Sequence, residues 1–293
     1  MVDTAGVKQL GRYRLDAVEG VGAFATVWRG YDPELDAVVA VKVLADNWAH
    51  HADVRERFLS EARFLRTIDD PRVVRVHDVG VADDRPYFVM AFVPGGTLAD
   101  QVGRLDPEQA VILAAQAARA VDVVHAAGVL HRDLKPSNLL IDARGRPVVG
   151  DLGSAKQLAE ASGFTVTTGT PAYMAPEQAY GRPLDVRADV YSLGVLAHEL
   201  LTGSVPFDGP LGRTASSRPP ASPGGPEVDR VIAAATSVEP NRRPATATEL
   251  ADALVGAGAT KRRIGVPAVV ATCLVGFAAS ATGAWWLTEL LSA

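Results

Sequence analysis

Residues 131–140, with the sequence HRDLKPSNLL, place an acid, a cation and a carboxamide within a few positions of one another. Asp133 could accept the proton of an attacking hydroxyl group, and Lys135 could neutralise charge on the group being transferred. Asn138 could hold a metal ion through its amide oxygen, and Asp151 could supply an anionic ligand, which is the oxygen chemistry that Mg²⁺ prefers. This set predicts phosphoryl transfer, a reaction that needs charge neutralisation and alignment more than covalent chemistry.

A second group of residues precedes this segment. Gly20 and Gly22 lie between two strand patterns, where glycine lets the backbone approach a phosphate, although such pairs more often form ordinary hairpin turns. Lys42 lies in the apolar run AVVAVKVLA, and a lysine in such a strand is costly unless an anion pairs with it. Glu61, on the next helical segment, is the candidate partner, and an exposed surface salt bridge is the alternative.

The elements that must position these residues divide the chain into two parts. Residues 13–93 are rich in strand patterns with one helical segment, and residues 94–96 (Pro-Gly-Gly) predict a hinge. Helical patterns follow, and the first begins with Asp106 as a cap and Pro107 at the first helical position. Further helices are predicted over residues 184–202, 227–237 and 245–255.

The composition excludes some classes of protein and leaves others open. The net charge of −5 gives no reason to expect nucleic-acid binding. Cys273 is the single cysteine, so no intramolecular disulfide can form. Residues 208–227 are rich in proline, glycine and serine, and they predict a flexible loop that we call the proline-rich segment.

The C-terminal part of the chain has a different character. Residues 264–286 carry no charged side chain, and a basic run precedes them. About 20 apolar residues suffice to cross a bilayer, and basic flanks mark the cytoplasmic side, so we expect a membrane anchor. The alternative is a buried helix of a soluble domain. The expected divisions are a basic juxtamembrane linker over 257–263, a transmembrane helix over 264–287 and a short extracytoplasmic tail over 288–293.

The motifs occur in an order that resembles the eukaryotic-like (Hanks-type) serine/threonine protein kinases, most closely their bacterial transmembrane branch. That order is a glycine-rich loop, A-V-K, a helix glutamate, H-R-D-L-K-P-x-N, D-L-G and A-P-E. The resemblance covers about residues 13–255 and implies an α+β, bilobal protein-kinase fold that binds ATP and Mg²⁺, with Mn²⁺ as an alternative ion. We expect an N-terminal segment over 1–12 and a kinase domain over 13–256, with a β-rich N-lobe over 13–93 and an α-rich C-lobe over 97–256.

The resemblance also implies roles for individual residues. The expected catalytic residues are four. Asp133 would act as the base, Lys135 would contact the γ-phosphate, and Lys42 would pair with Glu61. Asn138 and Asp151 would hold the metal. The other residues expected to contact ATP are Gly20, Val21 and Gly22 over the phosphates, Val27, Ala40 and Leu140 around adenine, Met90 as gatekeeper, and the hinge from Ala91 to Val93.

Other residues would support or regulate this site. Glu177 of A-P-E would pair with Arg243, Asp189 would brace the His131-Arg132-Asp133 turn, and Leu65, His131 and Leu152 would stack between the lobes. Thr170 would bond to Asp133 and Lys135 in the substrate loop. Arg132 would receive a phosphate from one of the upstream threonines, unless these are only solvated loop residues. Those threonines are Thr165, Thr167 and Thr168.

Three functions fit these residues to different degrees. An active serine/threonine kinase at the cell membrane would modify cytoplasmic proteins and itself. A pseudokinase scaffold would have no need of all five residues Lys42, Glu61, Asp133, Asn138 and Asp151. A small-molecule kinase of the same fold is opposed by Lys135, Thr170 and the A-P-E motif. The expected partners are ATP, protein substrates and membrane lipid but no nucleic acid, and a homodimer stays open. The proline-rich segment leaves little room for the helix with which relatives dock substrates.

Overall fold

The N-lobe is built on one antiparallel sheet. The computed structural model describes residues 9–152, 171–211 and 213–264. The sheet has the strand order β1-β2-β3-β4-β6-β5, and all its neighbouring strands are antiparallel. Its strands are β1 Gln9–Leu10, β2 Tyr13–Val21, β3 Ala25–Asp32, β4 Ala37–Leu44, β5 Val76–Ala82 and β6 Arg85–Ala91.

Strand β4 is buried on both faces, which explains its continuous apolar sequence. Because side chains alternate along a strand, Val39, Val41 and Val43 contact one apolar cluster. Ala40 and Leu44 contact the other cluster, which includes residues of helix α2 (Ala52–Thr67). Lys42 is two positions after Ala40 in the strand, so its side chain lies on the same face. It therefore points toward α2 and the space between the lobes.

The N-lobe contains two helices, a short α1 over Asp46–Ala49 and α2 over Ala52–Thr67. The predicted helical segment is confirmed by α2. Its buried face includes Phe58, Glu61, Ala62 and Leu65, which recur at the spacing of one helix face. Glu61 is thus carried toward the sheet by the same periodicity that buries its apolar neighbours.

The C-lobe is mainly helical. Asp106 caps the first of these helices, where its side chain accepts a hydrogen bond from the Gln109 backbone N–H, and Pro107 is the first helical residue, as predicted. A two-stranded ribbon, β7 Leu139–Ile141 and β8 Pro147–Val149, follows it. The helices are α3 Pro107–Ala126, α4 Pro176–Ala179, α5 Val186–Thr202, α6 Pro226–Ala235 and α7 Ala247–Ile264.

Helix α7 is longer than the sequence pattern predicts. It continues through residues 257–263, which were expected to form a linker, and is described as far as Ile264. Helices α5 and α6 lie within two residues of their predicted bounds. Among the residues that the structure describes, none of the helices combines the length and apolar character that a bilayer crossing would require. Nearly all of the predicted transmembrane span lies outside the described residues.

The proline-rich segment has no helix in its described part before α6 begins at Pro226. That the segment lacks a substrate-docking helix stays a prediction. The segment is nevertheless attached to the C-lobe, because Arg213 donates a hydrogen bond to the Thr236 carbonyl and Ser222 donates to Asp229.

Candidate active site

A cavity of about 300 Å³ opens between the two lobes. It is bounded above by strands of the sheet, behind by the hinge, and below by the β7–β8 ribbon. The residues that line it are Glu19, Gly20, Val27, Ala40, Lys42, Met90, Ala91, Phe92, Val93, Gly96, Thr97, Asp100, Ser137, Asn138, Leu140, Gly150 and Asp151. Aliphatic side chains from both lobes face each other across this space, as a slot for a flat ring requires.

Lys42 is the buried cation of the cavity. Its Nζ lies 3.1 Å from Glu61 Oε1 and 2.9 Å from Asp151 Oδ2. Burial by itself would lower the pKa of Lys42, but the Asp151 and Glu61 carboxylates outweigh burial and raise it. Lys42 is therefore an ammonium ion that can contact a phosphate, and the predicted pairing with Glu61 is present as a buried contact.

Residues 131–140, which follow helix α3, bring the predicted base and metal ligand together. The Asn138 Nδ2 donates to the Asp133 carbonyl at 2.7 Å and to Asp133 Oδ2 at 3.0 Å. Lys135 Nζ lies 3.4 Å from the same carboxylate oxygen. The amide of Asn138 thus orients Asp133, and its own Oδ1 is the atom left to bind a cation.

Asn138 and Asp151 fit a hard divalent cation. Both residues line the cavity, and they supply an amide oxygen and a carboxylate. Within the described residues there is no cluster of three or more His, Cys, Asp or Glu side chains that would hold a metal by itself. A site with two protein ligands suits Mg²⁺, which commonly shares its coordination with phosphates and water.

Asp189 braces the turn that carries Asp133. Its carboxylate accepts hydrogen bonds from the backbone N–H of His131 at 2.7 Å and of Arg132 at 2.8 Å, and it lies 2.8 Å from the His125 Nε2. Burial would raise the pKa of Asp189, but the hydrogen bonds from His125 and the Arg132 backbone lower it below its usual value. Arg132 has a φ of +61°, an uncommon backbone conformation that these bonds hold in place.

The A-P-E segment (residues 171–179) is held by a buried ion pair. Arg243 donates to the two carboxylate oxygens of Glu177 at 2.6 and 2.8 Å, and it also donates to the carbonyls of Ser237 and Arg187. This is the bidentate geometry that an arginine and a carboxylate form best. The pairing expected from the resemblance is present.

The residues expected between the lobes are buried together with the core. Leu65, His131 and Leu152 are each at most 2% exposed. Burial lowers the pKa of His131, so its ring is neutral at pH 7. This environment fits a packing role for His131 and gives no exposed imidazole for catalysis.

Most of the predicted ATP-contacting residues line the cavity. Two do not: Val21 is 75% exposed, and Gly22 donates its backbone N–H to the Ala25 carbonyl in the β2–β3 turn. Their contact with phosphate stays a prediction. The predicted phosphorylation sites Thr165, Thr167 and Thr168 and the substrate-loop residue Thr170 lie outside the described residues.

Several lining residues were missed by sequence reasoning. Glu19 directly precedes the glycine pair, and Ser137 directly precedes Asn138, so both could have been found by proximity to a motif. Thr97 and Asp100 form a capping box at the 3₁₀ helix Leu98–Gln101, a pattern that was visible in the sequence. The residue types Thr and Asp are equally compatible with capping a helix and with lining a cavity, so the sequence did not indicate the second role.

Comparison with known proteins identifies the group of proteins that this chain resembles. A family profile described as the protein kinase domain matches residues 13–266. The chain is 37% identical over 286 residues to serine/threonine-protein kinase pkn2 of Myxococcus xanthus, which covers 89% of this chain and 34% of that protein. It is 39% identical over 208 residues to serine/threonine-protein kinase PknB of Mycobacterium leprae. That match covers 68% of this chain and 33% of that protein. The chain thus spans about a third of the length of these curated relatives.

The fold is also similar to a solved structure. The crystal structure of the Mycobacterium tuberculosis PknI kinase domain superimposes with a TM-score of 0.68 at 27% sequence identity. The match covers 86% of this chain and 97% of that one. The similarity therefore includes both lobes.

Proposed function

This chain belongs to the protein kinase domain family, and from that premise we propose that it transfers the γ-phosphate of ATP to serine and threonine residues of proteins. The observation that carries the proposal is that Lys42, Asn138 and Asp151 line one cavity between the two lobes, and that Asp133 contacts both Asn138 and Lys135. A cavity alone would fit any nucleotide-binding protein. The acid, the two cations and the two oxygen ligands together fit phosphoryl transfer.

The chain's own residues account for the steps of the reaction. Val27, Ala40 and Leu140 would bind the adenine ring, and Lys42 would hold the phosphates. The oxygen of the substrate hydroxyl would attack the γ-phosphorus while Asp133 accepts the hydroxyl proton. The bond between the γ-phosphorus and the bridging oxygen of the β-phosphate would break in the same step. Lys135, beside Asp133, would neutralise charge on the transferred group. A bound Mg²⁺ would neutralise phosphate charge, and Asn138 and Asp151 would hold it.

The test is transfer of label from radiolabelled ATP to a generic serine- and threonine-containing protein, with the purified full chain. We expect Asp133→Asn to lower the rate by at least about 100-fold, because the general base is lost while the shape of the side chain is kept. Asp252→Asn, at an exposed ion pair on α7, is the matched control and should retain the rate. Equal rates in all three proteins would contradict the proposal.

The pseudokinase scaffold is the alternative, and the same assay separates it. A scaffold would bind nucleotide and transfer no label in the wild-type protein. The intact contacts of Lys42 with Glu61 and of Asn138 with Asp133 favour catalysis, because nucleotide binding alone does not need an oriented base.

We propose in addition that Arg132 binds a phosphate on Thr165, Thr167 or Thr168 and that this activates the enzyme. The support is the position of Arg132 directly before Asp133, on the turn that Asp189 braces. Phosphosite mapping of the active protein tests this. Full activity without phosphate at any of the three threonines would contradict it.

The chain is proposed to be anchored in the cell membrane with the kinase domain in the cytoplasm. The support is the uncharged run over residues 264–286 with Lys261, Arg262 and Arg263 before it. Alkaline carbonate extraction of membranes tests the anchor, with a variant that lacks residues 264–286 as the control. Release of the full chain by carbonate would contradict it.

A further inference from the structure

Arg213 attaches the proline-rich segment to the C-lobe through three groups. Its guanidinium lies 3.5 Å from the centroid of the Phe207 ring, donates to the Thr236 carbonyl at 2.9 Å, and donates to the Tyr191 hydroxyl. Thr236 is the C-terminal cap of helix α6, where the carbonyl groups carry partial negative charge. These contacts fasten a segment that has no helix of its own.

The environment of Arg213 is unusual for a cation. Among the described residues, no carboxylate lies within ion-pair distance of its guanidinium, which instead contacts the Phe207 and Tyr191 rings and the Thr236 carbonyl. Burial lowers the pKa of Arg213, and the nearby positive charge of Arg243 acts in the same direction. Arg213 is half-buried, and a partly desolvated arginine without an acid carries a cost that its stacking and hydrogen bonds must offset.

The same contacts lead to the A-P-E segment. The ring of Tyr191 lies between two guanidinium groups, with centroid distances of 5.3 Å to Arg213 and 5.0 Å to Arg243. Arg243 in turn holds both carboxylate oxygens of Glu177. Side chains from four parts of the chain therefore form one continuous stack, which we call the arginine stack. Its members are Phe207, Arg213, Tyr191, Arg243 and Glu177.

The two segments are also adjacent at the start of the A-P-E segment. A Cβ atom on Gly209 would lie 3.6 Å from the Cγ of Pro171, so Gly209 lies beside the Pro171 ring. Ser192 of helix α5 donates to the Tyr173 carbonyl at 2.8 Å, which holds the next turn of the A-P-E segment. The proline-rich segment and the A-P-E segment thus meet at Pro171 and are joined again through the arginine stack.

We propose that Arg213 is a positioning residue that holds the proline-rich segment and the A-P-E segment as one surface on which protein substrates bind. The inference rests on the proposed kinase function. Arg213 is far along the chain from the nucleotide-lining residues and lines no part of the cavity. Its loss should therefore weaken binding of the protein substrate and leave ATP binding and the chemical step unchanged.

The first experiment is steady-state kinetics of the full chain and of Arg213→Gln, with ATP and the protein substrate varied separately. We expect the KM for the protein substrate to rise about tenfold, while kcat and the KM for ATP stay within about twofold. Arg213→Lys keeps the charge but not the planar stack or the pair of directed hydrogen bonds, and its KM should be intermediate. Arg230→Gln, at an exposed pair with Glu227 on α6, is the matched control and should behave as wild type.

The second experiment does not depend on activity. Hydrogen–deuterium exchange of the full chain should be faster over residues 171–179 in Arg213→Gln than in wild type, and unchanged there in Arg230→Gln. If the wild-type protein transfers no phosphate, the kinase proposal fails, and the exchange result still decides whether the stack holds the A-P-E segment.

Several results would overturn the inference. They are an unchanged KM for the protein substrate, a parallel rise in the KM for ATP, or exchange over residues 171–179 that is equal in Arg213→Gln and wild type. A general loss of thermal stability in Arg213→Gln together with a fall in kcat would also count against the inference. That result would mean that Arg213 contributes only to the stability of the fold.

Discussion

At the scale of single residues, the site depends on what burial does to ionisable groups. Lys42 keeps its charge in a buried place because two carboxylates lie within 3.1 Å of its Nζ. His131 lies in an equally buried place and becomes neutral because burial dominates there. Asp189 keeps its charge through hydrogen bonds from His125 and the backbone. The same physical term, desolvation, therefore gives three different outcomes according to the partners that each side chain finds.

The neutral state of His131 predicts a pH dependence of stability. Its pKa in the folded protein lies below the value of about 6.5 in an unfolded chain. Below that pH the unfolded chain binds more protons than the folded one, so stability falls on acidification. His131→Leu removes this contribution, and the wild type should lose up to about 1.4 kcal/mol more than the variant for each pH unit below 6.5. Urea denaturation of both proteins at pH 7.5 and 5.5 measures the difference, and equal losses would refute the neutral assignment.

The buried pair of Glu177 and Arg243 predicts a large effect of removing one partner. Glu177→Gln leaves the Arg243 cation buried without its counter-charge, and the free energy of unfolding should fall by about 3–5 kcal/mol. Glu227→Gln is the control, because its exposed pair with Arg230 should contribute less than about 1 kcal/mol. Urea denaturation at pH 7 compares the two variants. Similar small losses in both would mean that the buried contacts of Arg243 with backbone carbonyls are sufficient.

At the scale of elements, helices α5 and α6 approach each other closely because one of them carries a glycine at the crossing. A Cβ on Gly194 would lie 2.7 Å from the Ala235 Cβ and 3.0 Å from the Thr236 Cγ2. This close approach places Thr236 where its carbonyl receives the Arg213 guanidinium. The glycine in α5 therefore contributes to the position of the proline-rich segment, although it touches neither substrate nor nucleotide.

Two glycine substitutions should have opposite effects for this reason. Gly194→Ala would force α5 and α6 apart and should lower the free energy of unfolding by about 1–3 kcal/mol. Gly256→Ala lies in helix α7, where no atom of the described residues lies within 4 Å of an added Cβ. It should raise stability by up to about 1 kcal/mol through helix propensity. Thermal denaturation of both variants tests the pair. A stabilising Gly194→Ala would show that the helices can separate at little cost.

At the scale of the whole molecule, the cavity belongs to neither lobe alone. Val27, Ala40 and Lys42 come from the sheet, whereas Asn138 and Asp151 come from the C-lobe. The contact between Lys42 and Asp151 joins the lobes directly. A ligand that fills the cavity should therefore stabilise both lobes together.

Nucleotide binding should accordingly stabilise the protein as a unit, and the metal should contribute through the C-lobe. ATP with Mg²⁺ at about 100 times its Kd should add about 2.7 kcal/mol to the free energy of unfolding. Asp151→Asn removes the anionic metal ligand, so its thermal shift with ATP should be the same with Mg²⁺ as with a chelator. The wild-type shift should shrink when the chelator is added. A wild-type shift that does not depend on metal would contradict the assignment of Asn138 and Asp151.

Much of this organisation was predictable from local signals. The order of motifs, the hinge at residues 94–96, helix α2 and the cap at Asp106 all follow from turn chemistry and periodicity over short windows. The end of α7 was not predictable, because the sequence continues in helix-compatible residues past 255 without a stop signal. Glu19 and Asp100 were missed as cavity residues, since each has an ordinary role in its own element.

The sequence by itself determined which chemical groups are available and in what order they occur. Only the tertiary structure decided which of them meet. Glu177 and Arg243 are 66 positions apart and contact each other directly, and the Tyr191 ring contacts the guanidinium groups of both Arg213 and Arg243. Contacts of this kind require the chain to close long loops, and the burial of apolar surface in the core offsets the entropy that this closure costs. No short window of sequence shows which distant residues the core will bring together.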